Sequence, residues 1–74
     1  MSTLRELRRR KLMTQQELAQ AVGVRKYQTV QRWESGEAHP RPAQQRKLCA
    51  VLGVTPEELL AALDATEQAA KIAA

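Results

Sequence analysis

Thr14-Gln15-Gln16-Glu17-Leu18-Ala19-Gln20-Ala21-Val22-Gly23, continued by Val24-Arg25-Lys26-Tyr27-Gln28-Thr29-Val30-Gln31-Arg32-Trp33-Glu34-Ser35-Gly36, is the stretch on which the fold turns. Its first half reads as a short helix. Thr14 and Glu17 have the spacing of a capping box, in which each side chain satisfies a free backbone amide beside the other. Leu18, Ala19 and Val22 follow at helical spacing and point inward. Gly23 ends the helix where a positive φ is tolerated. The second half predicts another helix, from near Tyr27 to Trp33 or Glu34, with Val30 and Trp33 sharing the inner face and Gly36 stopping it. Two short helices joined by only about four residues must cross steeply, which is the helix-turn-helix arrangement. Ala19 is small enough to let the two backbones approach.

The rest of the chain fits around this pair. Upstream, a helix is predicted from Thr3 to Lys11 or Leu12, with Leu4 and Leu7 inward and basic residues at the negative end of its dipole. Downstream, residues 35–42 read as a loop stiffened by Pro40 and Pro42. A fourth helix is predicted from about Ala43 to Val51, with Leu48, Cys49 and Leu52 inward and Gly53 closing it. A fifth starts at Thr55-Pro56-Glu57-Glu58, where Thr caps, Pro takes the first turn and two acids face the positive dipole end. Leu59, Leu60 and Leu63 give it an apolar face. Phe is absent and β-branched residues are scattered, so the fold class is all-α, a compact bundle of about five short helices. Residues 1–64 form the predicted domain. Residues 65–74 are Ala-rich with little to bury, and read as a helical extension or a frayed tail.

Composition excludes several functions. The chain has 74 residues, enough for one domain. No apolar run approaches the ~18 residues of a membrane span, and the polar N-terminus lacks a signal-peptide core. Cys49 is the single cysteine, so neither an intrachain disulfide nor a cysteine zinc cluster is available. A cytoplasmic protein is expected. Catalysis has no foundation: His39 is the only histidine, and there is no Ser-His-Asp or Cys-His set and no Gly-rich phosphate loop. No enzyme activity, metal or cofactor is expected. Glu34, Glu57 and Glu58 read as surface and capping acids.

Charge points toward nucleic acid. Residues 1–60 hold eleven basic and six acidic residues, whereas residues 61–74 hold one basic and two acidic. A basic body suits a phosphate backbone, because neutralised phosphates release counterions; a solvated basic surface is the plain alternative. The outer face of the third helix carries Gln28, Gln31 and Arg32, with Lys26 and Tyr27 at its N-terminal end. Gln pairs bidentately with adenine and Arg with guanine in the major groove, which admits one helix. Gln28 and Gln31 also suit an ordinary helix surface, but their place opposite Val30 and Trp33 favours base reading. Trp33 reads as core by its spacing to Val30, Cys49 as a small buried hydrophobe, and the run Arg8 to Lys11 as a largely solvated face.

These residues resemble the Cro/CI-like helix-turn-helix family of phage repressors and bacterial regulators, also called the XRE family. The resemblance rests on Leu4-Arg5-Glu6-Leu7, Thr14 to Ala19, Gly23-Val24, Thr29-Val30-Gln31-Arg32-Trp33-Glu34-Ser35-Gly36, Leu48 to Val54 and Leu59-Leu60, and covers about residues 4–63. It implies a lambda-repressor-like fold and sequence-specific binding of double-stranded DNA by a small transcriptional regulator or repressor. It implies that Gln15 anchors a phosphate and that Tyr27, Gln28, Gln31 and Arg32 read bases. It nominates Arg10, Lys11, Lys26, His39 and Arg41 as phosphate contacts, although His39 alone in its loop also reads as a plain exposed side chain. The expected partner is an inverted-repeat operator bound by a homodimer, in a bacterial or phage-type setting on the nucleoid. The same fold serves antitoxins and other protein-interaction modules, so a protein partner through residues 59–74 is the alternative. RNA binding has only Tyr27 as an exposed aromatic in its favour.

Three departures from the family pattern matter. The segment from Gly23 to Trp33 is one residue longer than usual, and its Ser or Thr cap is missing, which leaves the register of the reading helix's first turn open. Leu12 stands where Gly is common, so the first helix is expected to run on. Gln45 and Arg46 replace apolar residues of the fourth helix, predicting a weaker core or a polar seam.

Overall fold

The computed structural model describes residues 2–73, so Met1 and Ala74, the outer ends of the expected domain and of its extension, lie outside it. Among the described residues there are five helices and no strand: α1 (Leu4–Arg10), α2 (Gln15–Val22), α3 (Tyr27–Ser35), α4 (Pro42–Leu52) and α5 (Pro56–Ala73). Local chemistry sets most of their ends. The Thr3 hydroxyl accepts from the Glu6 amide at 3.3 Å, and the Thr55 hydroxyl accepts from the Glu58 amide at 3.1 Å. At α2 both halves of the capping box form: the Glu17 amide donates to Thr14 Oγ1 at 3.1 Å, and the Thr14 amide to Glu17 Oε1 at 2.9 Å.

The core is one cluster drawn from every helix. Leu4 and Leu7 meet Leu18, Ala19 and Val22, together with Val30, Trp33, Leu48, Leu52, Leu59, Ala62 and Leu63. α2 packs on α3 and α4, and α5 closes over α1, α3 and α4. A helix of 18 residues is about 27 Å long, close to the 30 Å longest dimension of the molecule. α5 is therefore nearly as long as the body itself.

Four expectations differ from the structure. First, α1 does not run on through Leu12. It stops at Arg10, and Leu12 takes the left-handed conformation at φ 56° with its side chain 92% exposed. The turn to α2 needs a positive φ there, and no glycine supplies it. Second, Pro42 belongs to the first turn of α4 and not to the loop, since the first helical position needs no amide hydrogen. Third, Cys49 is only half-buried. It lines a groove of about 300 Å³ between α4 and α5 with Pro42, Gln45, Arg46, Pro56, Leu59 and Leu60. Arg46 is exposed and the Gln45 amide donates to the Pro40 carbonyl at 3.0 Å, so the polar seam lies at the rim of that groove.

Fourth, the residues after Ala65, expected as a helical extension or a frayed tail with little to bury, continue α5 as a helix with buried positions. Ala65 and Thr66 are buried, and the Leu4 amide, an unpaired donor at the start of α1, donates to Thr66 Oγ1 at 3.0 Å. The same hydroxyl donates to the Ala62 carbonyl at 2.8 Å. One turn further, the Ala70 methyl packs within about 3.1 Å of the position a side chain would take on Gly36. The Ala-rich composition serves close packing on α1 and on the end of α3.

Candidate nucleic-acid interface

The turn between α2 and α3 begins at Gly23, which is left-handed at φ 81°. The Val24 amide donates to the Ala19 carbonyl at 3.0 Å and the Gly23 amide to the Gln20 carbonyl at 3.2 Å, so the orphan carbonyls of α2 are satisfied. Val24 packs against the core. α3 then starts from Lys26, whose backbone is extended and whose side chain caps nothing.

One face of α3 is buried through Val30, Trp33 and Glu34. The opposite face follows the helical repeat: Gln28, Gln31, Arg32 and Ser35 lie three, four and seven positions apart, and all four are exposed. They line a shallow depression of about 420 Å³ together with Glu37. A second depression adjoins it, lined by Lys26, Gln28, Thr29 and Arg32. The expected readers Gln28, Gln31 and Arg32 thus come together, with Lys26 beside them. Tyr27 is on the same helix, 43% exposed.

The other expected residues are more dispersed. Gln15 opens α2, half-buried, and its amide donates to Glu34 Oε1 at 3.0 Å. Arg41 is exposed at the start of α4, where its backbone amide donates to Gln44 Oε1 at 2.8 Å. Arg10 reaches Ser2 Oγ at 2.6 Å and lines a small groove with Glu58 and Ala61, on the side of α1 turned to α5. Lys11 extends its ammonium to Gly53, at the C-terminal end of α4, where a cation suits the helix dipole. His39 is paired through Nε2 with Glu67 of α5. Arg10, Lys11 and His39 thus make their contacts with Ser2, the end of α4 and α5.

Glu34 is not a surface acid. Its side chain is fully buried, and it accepts from three residues on two other helices. Arg8 Nε donates at 2.6 Å and its terminal nitrogen at 3.3 Å, Arg5 Nε at 3.4 Å and Gln15 at 3.0 Å. Arg8, whose side chain is 12% exposed, also donates to the Met13 carbonyl at 2.7 Å. A buried carboxylate is tolerable only with such partners. The signal for it was present, since Glu34 lies four residues after the inward Val30, but its partners are remote in sequence. Ser35, Thr29 and Glu37 are the surface residues that sequence reading missed. Ser35 was legible as the position seven after Gln28; Glu37 lies beyond the helix and has no periodic signature.

Among the described residues there is no group of three or more His, Cys, Asp or Glu placed to hold a metal, and no helix is long and apolar enough to cross a membrane.

Type II methyltransferase M.SsoII of Shigella sonnei is 47% identical over 45 residues, which are 58% of this chain and 12% of that protein. The chain therefore matches only a small part of a much longer relative. No solved structure matches it. The helix-turn-helix family model matches residues 4–59, from the first turn of α1 to the first turn of α5. The chain belongs to the helix-turn-helix family of Cro/CI-like, or XRE, DNA-binding domains.

Proposed function

We propose that this protein is a small transcriptional regulator, a repressor, that binds a specific double-stranded site by laying α3 in the major groove. The observation that carries the reading is the exposed face Gln28, Gln31, Arg32 and Ser35 opposite a buried Val30-Trp33-Glu34 face. Gln28 and Gln31 offer the amide pair that suits adenine, and Arg32 the fork that suits guanine. Tyr27 contacts the base or sugar edge beside them. Lys26, Arg41 and Gln15 hold the flanking phosphates. Gln15 commits one N–H to Glu34, and a primary amide carries a second for a phosphate oxygen.

One short helix reads few bases, so two copies on an inverted repeat, with half-sites about 34–36 Å apart, supply the specificity. Leu60, half-exposed beside the α4–α5 groove, and Ile72, 84% exposed, favour a protein contact through residues 59–74, here the second copy. The Shigella sonnei relative places a segment of this kind in a much longer protein, so a role as the DNA-positioning part of a larger assembly is the second reading. A cytoplasmic setting on bacterial or phage DNA follows from either.

The test is selection of bound duplexes from random-sequence DNA, followed by titration of Arg32→Ala and Gln31→Ala against the enriched site. Each substitution should weaken binding to that site by about 1–3 kcal/mol and leave unrelated DNA less affected. Equal affinities of variants and parent for the enriched site would remove α3 from base reading. Sedimentation of the parent and of Leu60→Glu, with and without the site, tests the second copy. A complex of one chain per site for both proteins would end that part of the proposal.

A further inference from the structure

We propose that Glu37 is a specificity-determining residue, whose carboxylate accepts a hydrogen bond from a cytosine amino group in the preferred site and repels phosphate where that partner is missing. The proposal rests on the reading of α3 given above.

Glu37 is held in place although it lies past the helix. Gly36 turns the chain in the left-handed conformation at φ 82°, and the Glu37 amide donates back to the Arg32 carbonyl at 3.0 Å. Gly36 is packed beneath Ala70 of α5, and Ala38 and Pro40 are tucked against the body just downstream. The side chain is exposed, yet it lines the same depression as Gln28, Gln31, Arg32 and Ser35. Among the described residues the ion pairs of arginine are Arg5–Glu34 and Arg8–Glu34, and His39 is hydrogen-bonded to Glu67. Glu37 belongs to none of them.

An acid on a DNA-reading surface costs affinity for any duplex held by its phosphates. An ionised carboxylate only accepts hydrogen bonds, so it has nothing to offer a phosphate oxygen. In the major groove the donors are the amino groups of cytosine and adenine. Adenine is better met by the amides of Gln28 and Gln31, which can both donate and accept. Cytosine presents a donor alone, and a carboxylate matches it. Glu37 beside Arg32 then reads a G·C pair from the cytosine side while Arg32 reads a guanine. The same charge penalises every wrong site, which is discrimination by repulsion as well as by attraction.

Glu37→Gln keeps the size and removes the charge at an exposed position. The variant and the parent would be titrated into the enriched site and into an unrelated duplex across salt, with Arg32→Ala in parallel. Glu37→Gln should bind the unrelated duplex several-fold more tightly, with a salt slope steeper by up to about one. The ratio of specific to unrelated affinity should fall by about tenfold, within the range for one base contact, and a repeated selection should lose cytosine at one position. Equal strengthening on both duplexes, or no change on either, would overturn the role of Glu37. If Arg32→Ala lowers the ratio while Glu37→Gln does not, the α3 reading stands and this proposal falls. If Arg32→Ala leaves the ratio intact, the α3 reading fails and takes this proposal with it.

Discussion

Leu12 holds a positive φ without the freedom of glycine, and its side chain touches almost nothing. The left-handed conformation costs a residue with a Cβ about 1–2 kcal/mol, and glycine returns part of that gain through the entropy of the unfolded chain. Leu12→Gly should therefore stabilise the protein by up to about 1 kcal/mol, or roughly 4–8 °C in melting temperature for a domain of this size. Urea and thermal melts followed by circular dichroism check it; an unchanged or lower midpoint would mean that the turn is not strained. Glu34 is the opposite case. Removing one partner of a buried ion pair costs about 3–5 kcal/mol, so Glu34→Ala should lose much of the total stability. Arg8→Met with Glu34→Leu should recover a good part of that loss, because no buried charge is then left alone: Arg5, the other ion-pair partner, is 54% exposed and stays solvated. A double variant no more stable than Glu34→Ala would contradict this account of the pair. Local sequence alone decides neither residue's state. In the sequence, Leu12 in place of the family's Gly reads as an extension of the first helix, whereas the turn to α2 decides its backbone. Glu34 reads as a surface acid although it lies four residues after Val30, because its partners Arg5, Arg8 and Gln15 meet it only in the folded chain.

Helices with strong local signals were legible almost to the residue. The Thr14–Glu17 box and Gly23 delimit α2, and the Val30–Trp33 spacing orients α3. The weak ends were those governed by distant contacts. The second half of α5 looked idle because its value lies in Thr66 and Ala70, which serve α1 and Gly36. Thr66→Val keeps the shape and leaves the buried Leu4 amide without an acceptor, a loss of about 1–3 kcal/mol. Thr66→Ser should retain most of the stability, and similar melts for the Val and Ser variants would show that the hydroxyl is dispensable. The uncapped start of α3 gives a prediction with two signs. Lys26→Ser supplies a cap worth about 1 kcal/mol and should raise the denaturation midpoint. It also removes a proposed phosphate contact, so DNA affinity should fall and the salt slope should flatten by about 0.9 per bound chain. A variant that gains stability and binds DNA with an unchanged slope would remove Lys26 from the interface.

Over the whole molecule, the basic residues do not act together. The sequence showed an excess of positive charge in residues 1–60, but not how it is divided. Arg8 is committed to Glu34, Lys11 to the end of α4 and Arg10 to the α5 side, while Lys26 and Arg32 border the reading face. Composition sums charges regardless of direction, and only the packing of α1 against α3 and α5 sorts them. The Glu34 carboxylate has a further consequence at this scale. By gathering Arg5 and Arg8 from α1 and Gln15 from α2 onto α3, it ties the three helices together before any DNA arrives. Binding then has little left to order, and its thermodynamics should reflect the contact surface alone. Calorimetry over a range of temperatures should give a modest negative heat-capacity change per chain, in keeping with an interface of about 600–1,000 Å². It should lack the larger signature of a segment that folds on its target, which corresponds to about 1,000–3,000 Å² of burial.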